Sequence, residues 1–548
     1  MQFFKSVAVL IILFLHSNYA FSIPQKETPN SFVIIIQPIV VQGDNGNNPA
    51  SMTLPKNLIN ETFSKAHVDL HFLEPLFYSN TKARDGVIDL DKIVKMATED
   101  GFIRGQGEIL NMFFVNELQG KKGPVAHGIL NESYTFIALG TKKNTDSTAD
   151  ILQRKHLQAL VITHEVAQNL GLKHSENGEN VSNDIANIQT QQNDSERSPA
   201  TYSLNDYQIR ELKKSPLVRP RIDILAVSDA RKAILDETFE PYFSKLQKRE
   251  IETFIQEKLT TSDINDLRRY ARKRFQDAVL PFSETERNAL TYIVKEVNVL
   301  LLQNNIHLMA NHPWRFIKVD SWLCGGFAHT RGSFIIFSQK HLDSLTKIWQ
   351  KDINEKDRLE LLREFGGLLV HEQMHALQRS FPSKFVQLNT QHWDFQKAII
   401  ESDEYITLNQ VSNSDAPSAE WLVPKPQQPS EFYWVRTLLK EGVDLPKMGK
   451  DFMDQVFTVI LKEGKYQLKR DYDNQLIINS IDDLTFYRDS YPVTRGIDHP
   501  NEISAYMFSK VFRDMVSKTK DKPELKNEIE FNKWIELEMS KPLNIGLD

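Results

Sequence analysis

The spacing of hydrophobic positions changes several times along the chain, and each change predicts a different element. Residues 32–41 (Phe-Val-Ile-Ile-Ile-Gln-Pro-Ile-Val-Val) are almost continuously apolar and rich in β-branched side chains, which predicts a buried strand closed by Gly43-Asp44-Asn45-Gly46. Residues 109–115 and 134–139 read as further strands, with a helix at 88–100 ahead of them. Across 149–170 the apolar residues fall at helical spacing, and Gly171 is placed to end that helix. Residues 184–198 are polar and rich in Asn and Gln, and read as a surface loop. A helix restarts near Asn205, and Pro216-Leu217-Val218-Arg219-Pro220 marks a boundary.

After that boundary the pattern turns mainly helical. Residues 229–305 read as successive helices, one opened by the capping-box signal Ser283-Glu284-Thr285-Glu286. Residues 314–321 and 333–338 read as strands. A helix over 356–379 carries Leu361, Leu362, Phe365, Leu368 and Leu369 along its apolar side, and Pro382 follows it. The order of elements predicts an α+β protein of two domains, the second largely helical with a small mixed sheet.

Composition narrows the class. A chain of 548 residues, 41 % hydrophobic and 25 % charged, has ordinary globular composition and is long enough for several cores. A net charge of −6 gives no general attraction to nucleic acid or anionic membrane, and the basic run 268–274 reads as a solvated helix face. Lys5, the nine-residue apolar run 7–15 and the cleavage-like Ala20-Phe21-Ser22 read as a signal peptide; a membrane-spanning helix needs about twenty apolar residues. The single cysteine, Cys324, excludes an intramolecular disulfide. These features divide the chain into a signal peptide (1–22), a first domain (23–222) and a second (223–548) with a helical N-terminal region. The mature chain is expected to be secreted or periplasmic, with no membrane or nucleic-acid partner.

Two stretches carry metal chemistry. His371-Glu372-Gln373-Met374-His375 sits on the predicted helix 356–379, where two imidazoles one turn apart share a face and can bind one zinc ion. Glu372 is then placed to take a proton from metal-bound water and so to act as general base in peptide hydrolysis. A catalytic site needs a third protein ligand. No histidine follows at close spacing, which leaves the carboxylates Asp394, Glu401, Glu404 and Glu502. Glu502 is preferred, because Pro500 can open a helix on which an early Glu points to the site, while Ser504 and Ala505 allow close helix packing. Tyr491, His499 and Tyr506 lie near it in sequence as candidate donors to an oxyanion.

The second stretch, 164–174, has His164, Glu165, Gly171 and His174 at the spacing HExxHxxGxxH, with Gln168 where the second histidine belongs. A carboxamide oxygen is a much poorer zinc ligand than an imidazole. His164, Gln168 and His174 therefore read as a vestigial metal site and Glu165 as a vestigial base.

Both stretches sit in wider resemblances. Residues 310–510 resemble gluzincin-like metallopeptidase domains through Ala328-His329-Thr330-Arg331-Gly332 with the strand after it, the HExxH helix, Asn413-Ser414-Asp415-Ala416-Pro417, and the segment 499–505. That resemblance implies that Glu502 completes the metal site and that 333–338 is the strand holding the substrate backbone. Residues 30–215 resemble metzincins, with Asn187-Ile188-Gln189-Thr190 where that family has its Met-turn and Gln189 in place of the methionine. The implied protein is an exported zinc metallopeptidase with one zinc ion, acting on a protein or peptide, whose first domain is an inactive metzincin-like module. The competing readings are a non-catalytic binding protein on two zincin folds and a zinc amidase acting on a cell-wall component.

Overall fold

A computed structural model describes residues 31–122, 125–139, 148–173, 204–349, 353–401, 403–418, 420–493, 495–519 and 525–540. The predicted signal peptide, His174 and Gln189 lie outside them.

The strand Phe32–Gln42 is the axis of the first sheet. Nine consecutive residues within it are buried, because the sheet is covered on both faces. On one face Ile34, Ile36, Leu110, Met112 and Phe114 pack against Ile59 and Phe63 of helix Lys56–Ser64 and Ile162 and Val166 of helix Thr148–Asn169. On the other, Ile39, Val41, Phe113 and Phe136 meet Ile93 and Ala97 of helix Leu90–Glu99. Val68–Phe72 and Leu76–Ser79 pair parallel along one side of the axial strand. Leu110–Phe114 and then Tyr134–Ala138 continue in parallel on the other, and Val125–Gly128 closes that side antiparallel.

The chain leaves this sheet at Arg219–Pro220, which pairs with Val33 and Phe32, and enters the next at Ile222–Ile224. The second sheet runs Ile222–Ile224, Trp314–Val319, Phe334–Ser338, all parallel, and ends in the antiparallel strand His329–Arg331. Its faces alternate cleanly. Trp314, Phe316 and Phe337 point to the large core shared with helices Glu284–Gln303, Gly367–Ser380 and Pro500–Ser517. Ile317, Val319 and Ile336 point to helices Lys248–Ile255 and Ile264–Asp277. In both sheets the antiparallel edge strand directly precedes the last parallel strand, and a helix bearing His-Glu follows.

The α+β class holds, but the second half contains more sheet than its pattern predicts. Between Gln396 and Ser480 lies an antiparallel sheet built on the long hairpin Glu431–Leu439 and Phe452–Lys462. It has its own small core of Leu422, Phe432, Trp434, Leu438, Phe457 and Val459. The hairpin mixes buried with charged or half-exposed residues without regular alternation and has no Asn-Gly turn, so its strand signal is weak.

The two halves meet through buried polar contacts. His71 Nε2 lies 3.0 Å from His312 Nδ1, Arg221 donates to the Asn311 carbonyl at 2.5 Å, and the Glu74 amide donates to the Ser380 carbonyl at 3.0 Å. Burial, with the cations Arg221 and Arg315 nearby, pushes His312 down to about 3, and His71 is likewise lowered. The unfolded chain binds a proton on each near pH 6.5 while the folded chain does not, so the contribution of these two groups to stability falls as pH drops from about 6.5 toward 3. Each such imidazole steepens the fall by roughly 1 kcal/mol per pH unit. His312→Gln should give a shallower dependence in chemical denaturation over that window; parallel curves for variant and wild type would refute the neutral buried pair.

Candidate metal centre

The predicted helix carrying the intact motif is one continuous helical rod from Glu355 to Ser380 with a π-turn at Leu362–Gly366. Pro382 opens the next short helix, Pro382–Gln387, which turns the chain away. Helix Pro500–Ser517 crosses the motif helix at very close range. A Cβ on Gly366 would meet the Phe512 ring at 2.9 Å and one on Gly367 the Arg513 Nε at 2.9 Å. Two adjacent glycines thus set the approach, and the Ser509 hydroxyl donates to the Gly367 carbonyl at 2.7 Å.

That crossing delivers the third ligand. His371 Nε2 and His375 Nε2 lie 3.3 Å apart, and Glu502 places one oxygen 3.5 Å from the first and the other 3.8 Å from the second. A tetrahedral ion with ligand bonds of about 2.0–2.2 Å holds its ligand atoms about 3.3–3.5 Å apart. These three side chains are the cluster of metal-ligating groups found among the described residues, and they fit a single small ion with one face left open to the cleft.

Two of the three groups are held from behind. His375 Nδ1 is 2.9 Å from Gln378 Oε1, and Asn413 Nδ2 donates to Glu502 Oε1 at 2.6 Å. Burial alone would raise the Glu502 carboxyl, but His375, His371 and the Asn413 bond hold it well below the usual range. Glu372 moves the opposite way, raised by burial and then by the charges of Asp415 and Glu502. It is 2 % exposed and its Oε2 has no hydrogen-bond partner. Two neighbouring carboxyls are therefore driven apart, Glu502 downward and Glu372 upward.

The cleft over these groups has a volume of about 410 Å³ and is lined by His371, Glu372, Glu502, Asn413, Asp415 and Tyr506 among others. Of the three candidate oxyanion donors, Tyr506 alone lines it, with its ring centroid 4.5 Å from that of His371. His499 instead caps helix Pro500–Ser517, accepting from the Asn501 amide on Nδ1 and donating from Nε2 to the Ser418 carbonyl. Tyr491 packs on Trp393 and Tyr487 in a separate aromatic pocket. The other carboxylate candidates are also elsewhere: Asp394 pairs with Lys526 at 3.1 Å, and Glu401 and Glu404 are exposed.

One expectation is corrected. The strand Phe334–Ser338 is flanked on both sides, so its backbone is used up within the sheet. The free edge is His329–Arg331, and there Asp415 Oδ1 already accepts from the Thr330 amide at 2.7 Å. His329 lines the cleft, whereas Arg331 is buried over the Tyr242 ring at 4.1 Å and donates to the Asp236 carbonyl. Sequence reasoning missed Gln378 and the part Asn413 plays; three residues past the second histidine, Gln378 lies about one helical turn on, which is the only signal it gave.

In the first domain His164 and Gln168 lie one turn apart on helix Thr148–Asn169, as predicted, with 2.8 Å between His164 Nε2 and Gln168 Nε2. The carboxamide thus meets the imidazole directly. Glu165 is bound by the Gly128 amide of the edge strand, and burial raises it to about 7 despite that bond. Gly171 ends the helix with φ of +92°.

No protein-family model matches the chain, and no curated protein matches it in sequence.

A divalent ion should bind once per chain. Metal analysis after dialysis should find it lost in His371→Ala and Glu502→Ala and retained in His164→Ala; retention in either of the first two would refute this ligand set.

Proposed function

We propose that the protein is an exported zinc metallopeptidase whose second domain is gluzincin-like and active and whose first is an inactive metzincin-like module. The observation that carries the reading is the convergence of two imidazole nitrogens and a carboxylate, at tetrahedral spacing, beside a buried carboxylate with an unpartnered oxygen. Two nitrogens and one oxygen suit zinc, and an open fourth position distinguishes a catalytic from a structural site. The shared order of strands in the two sheets, each with an antiparallel edge strand before the motif helix, supports reading both halves as zincin-like. Among the described residues no helix is long and apolar enough to cross a membrane.

Bound zinc would supply Lewis acidity to a peptide carbonyl and lower the pKa of water. The chain's own groups do the rest. Glu372 Oε2 accepts the proton of the attacking water and returns it to the leaving amine, and its raised proton affinity suits both halves of that exchange. Tyr506 donates to the oxyanion as the carbonyl becomes tetrahedral; burial raises its hydroxyl to about 12, so it keeps the proton it donates. Glu502 and Asn413 keep the ligand set fixed while the substrate changes.

In the first domain the pairing of Gln168 with His164 and of Glu165 with Gly128 supports a fold kept without the chemistry.

Glu372→Ala should remove peptide hydrolysis, a loss of about 10²–10⁴ in kcat or more, with zinc still bound. Retained activity in that variant would sink the assignment. Tyr506→Phe should lower kcat about 10²–10³-fold with little change in KM; a change in KM alone would make it a substrate-packing residue.

A further inference from the structure

We propose that Gln378 is a positioning residue that fixes both the tautomer of His375 and the register of the two ligand-bearing helices, so that the site is assembled before any ion arrives. The proposal rests on the metal-centre reading above, but not on peptidase activity.

The argument starts from the two ends of one carboxamide. Gln378 Nε2 lies 3.0 Å from the Asn501 carbonyl oxygen and 2.9 Å from Ser504 Oγ. A backbone carbonyl only accepts, so the amide nitrogen must face it. Oε1 then faces His375 Nδ1 at 2.9 Å. An amide oxygen also only accepts, so Nδ1 must carry the proton. In the neutral ring that leaves the lone pair on Nε2, the nitrogen that faces His371 and Glu502. With the amide turned over, two oxygens would face each other at Asn501 and a proton would sit on Nε2, where it blocks coordination. The carbonyl of Asn501, in the first turn of the helix that carries Glu502, thus decides which nitrogen of His375 is free.

Burial makes this decision binding. His375, Gln378 and Ser504 are 0 %, 6 % and 1 % exposed, so water does not replace a lost partner cheaply. Ser504 Oγ donates to the same Asn501 carbonyl at 2.9 Å, which leaves its lone pairs to accept from Gln378. Among the described residues no partner is found for His371 Nδ1, so Gln378 is the one hydrogen-bonding anchor behind the two imidazoles. A ligating histidine normally has its other nitrogen held, and losing that hold typically weakens metal binding about 10–100-fold. Here the same group also ties together two helices whose ligands are far apart in sequence.

The test compares full-length wild type, Gln378→Met and Gln378→Glu, with zinc affinity measured by chelator competition and the His375 tautomer read by nitrogen NMR of metal-free, 15N-histidine-labelled protein. Wild type should show His375 protonated on Nδ1. Met fills the space without either bond, and Q378M should bind zinc about 10–100-fold more weakly, with Nδ1 no longer the fixed proton site. Glu keeps the acceptor for Nδ1, so Q378E should retain the tautomer while losing the bond to Asn501. Zinc affinity of Q378M within twofold of wild type would overturn the proposal. Should Q378M fail to fold, Q378E decides: an Nε2-protonated His375 there overturns the proposal, and a kept Nδ1 proton supports it. A wild type that binds zinc but cleaves no peptide removes the peptidase reading alone, whereas one that binds no zinc removes both.

Discussion

The close crossing of helices Gly367–Ser380 and Pro500–Ser517 is the constraint on which the rest of this site depends. His371 and His375 come from one helix and Glu502 from the other, and short side chains reach a common point only if the backbones nearly touch. Gly366 and Gly367 make that approach sterically possible, although each glycine costs about 1 kcal/mol of helix propensity relative to Ala. The large core around Phe365, Leu369, Phe508 and Phe512 offsets that cost. Gln378 and Ser509 then bond directly across the crossing, adding geometric specificity to what apolar packing leaves free to slide.

The two halves set a motif helix against a similar order of strands but hydrogen-bond its carboxylate differently. In the first, the carboxylate after the leading histidine is bound by the edge-strand amide of Gly128, and Gln168 engages His164 in place of a metal-sharing imidazole. In the second, the edge-strand amide of Thr330 donates to Asp415, and Glu372 Oε2 has no hydrogen-bond partner. The segment carrying Asn413 and Asp415 therefore makes two contacts: Asn413 donates to Glu502 and Asp415 accepts from the edge strand. Its own anchors are buried polar contacts, including the Ser412 amide to Glu250 and the Ser414 carbonyl to Arg379.

The antiparallel sheet between Gln396 and Ser480 lies in sequence between the second and third ligands. It contributes Thr437, Met448 and Phe452 to the cleft wall, so the shape of the cleft is set in part by a segment that bears none of the clustered residues His371, His375 and Glu502. The first domain is joined to the back of the same helix system through His71, His312 and Ser380. His312 also accepts a bond on its carbonyl from Gln373, inside the motif itself.

What the sequence determined by itself is local: periodicity located most helices and the main strands of the first two sheets, though not the long hairpin Glu431–Leu439 and Phe452–Lys462, and the helical repeat placed His371, Glu372 and His375 on one rod, because i and i+4 share a face whatever the fold. Pro500 correctly signalled a helix start with Glu502 in its first turn. The short strands Val125–Gly128 and His329–Arg331 were not legible as sheet edges, since an edge is defined by which neighbour is missing and pairing is non-local. For the same reason the family resemblance pointed to 333–338 as the substrate-holding strand, whereas Phe334–Ser338 is interior to its sheet. The tertiary structure brings Glu502, already preferred in the sequence, to the two histidines and leaves Asp394, Glu401 and Glu404 elsewhere; it alone separated Tyr506 from His499 and Tyr491, and revealed Gln378. Those decisions depend on distances between atoms more than a hundred residues apart, as between Gln378 and Asn501, and packing of the two helices fixes them.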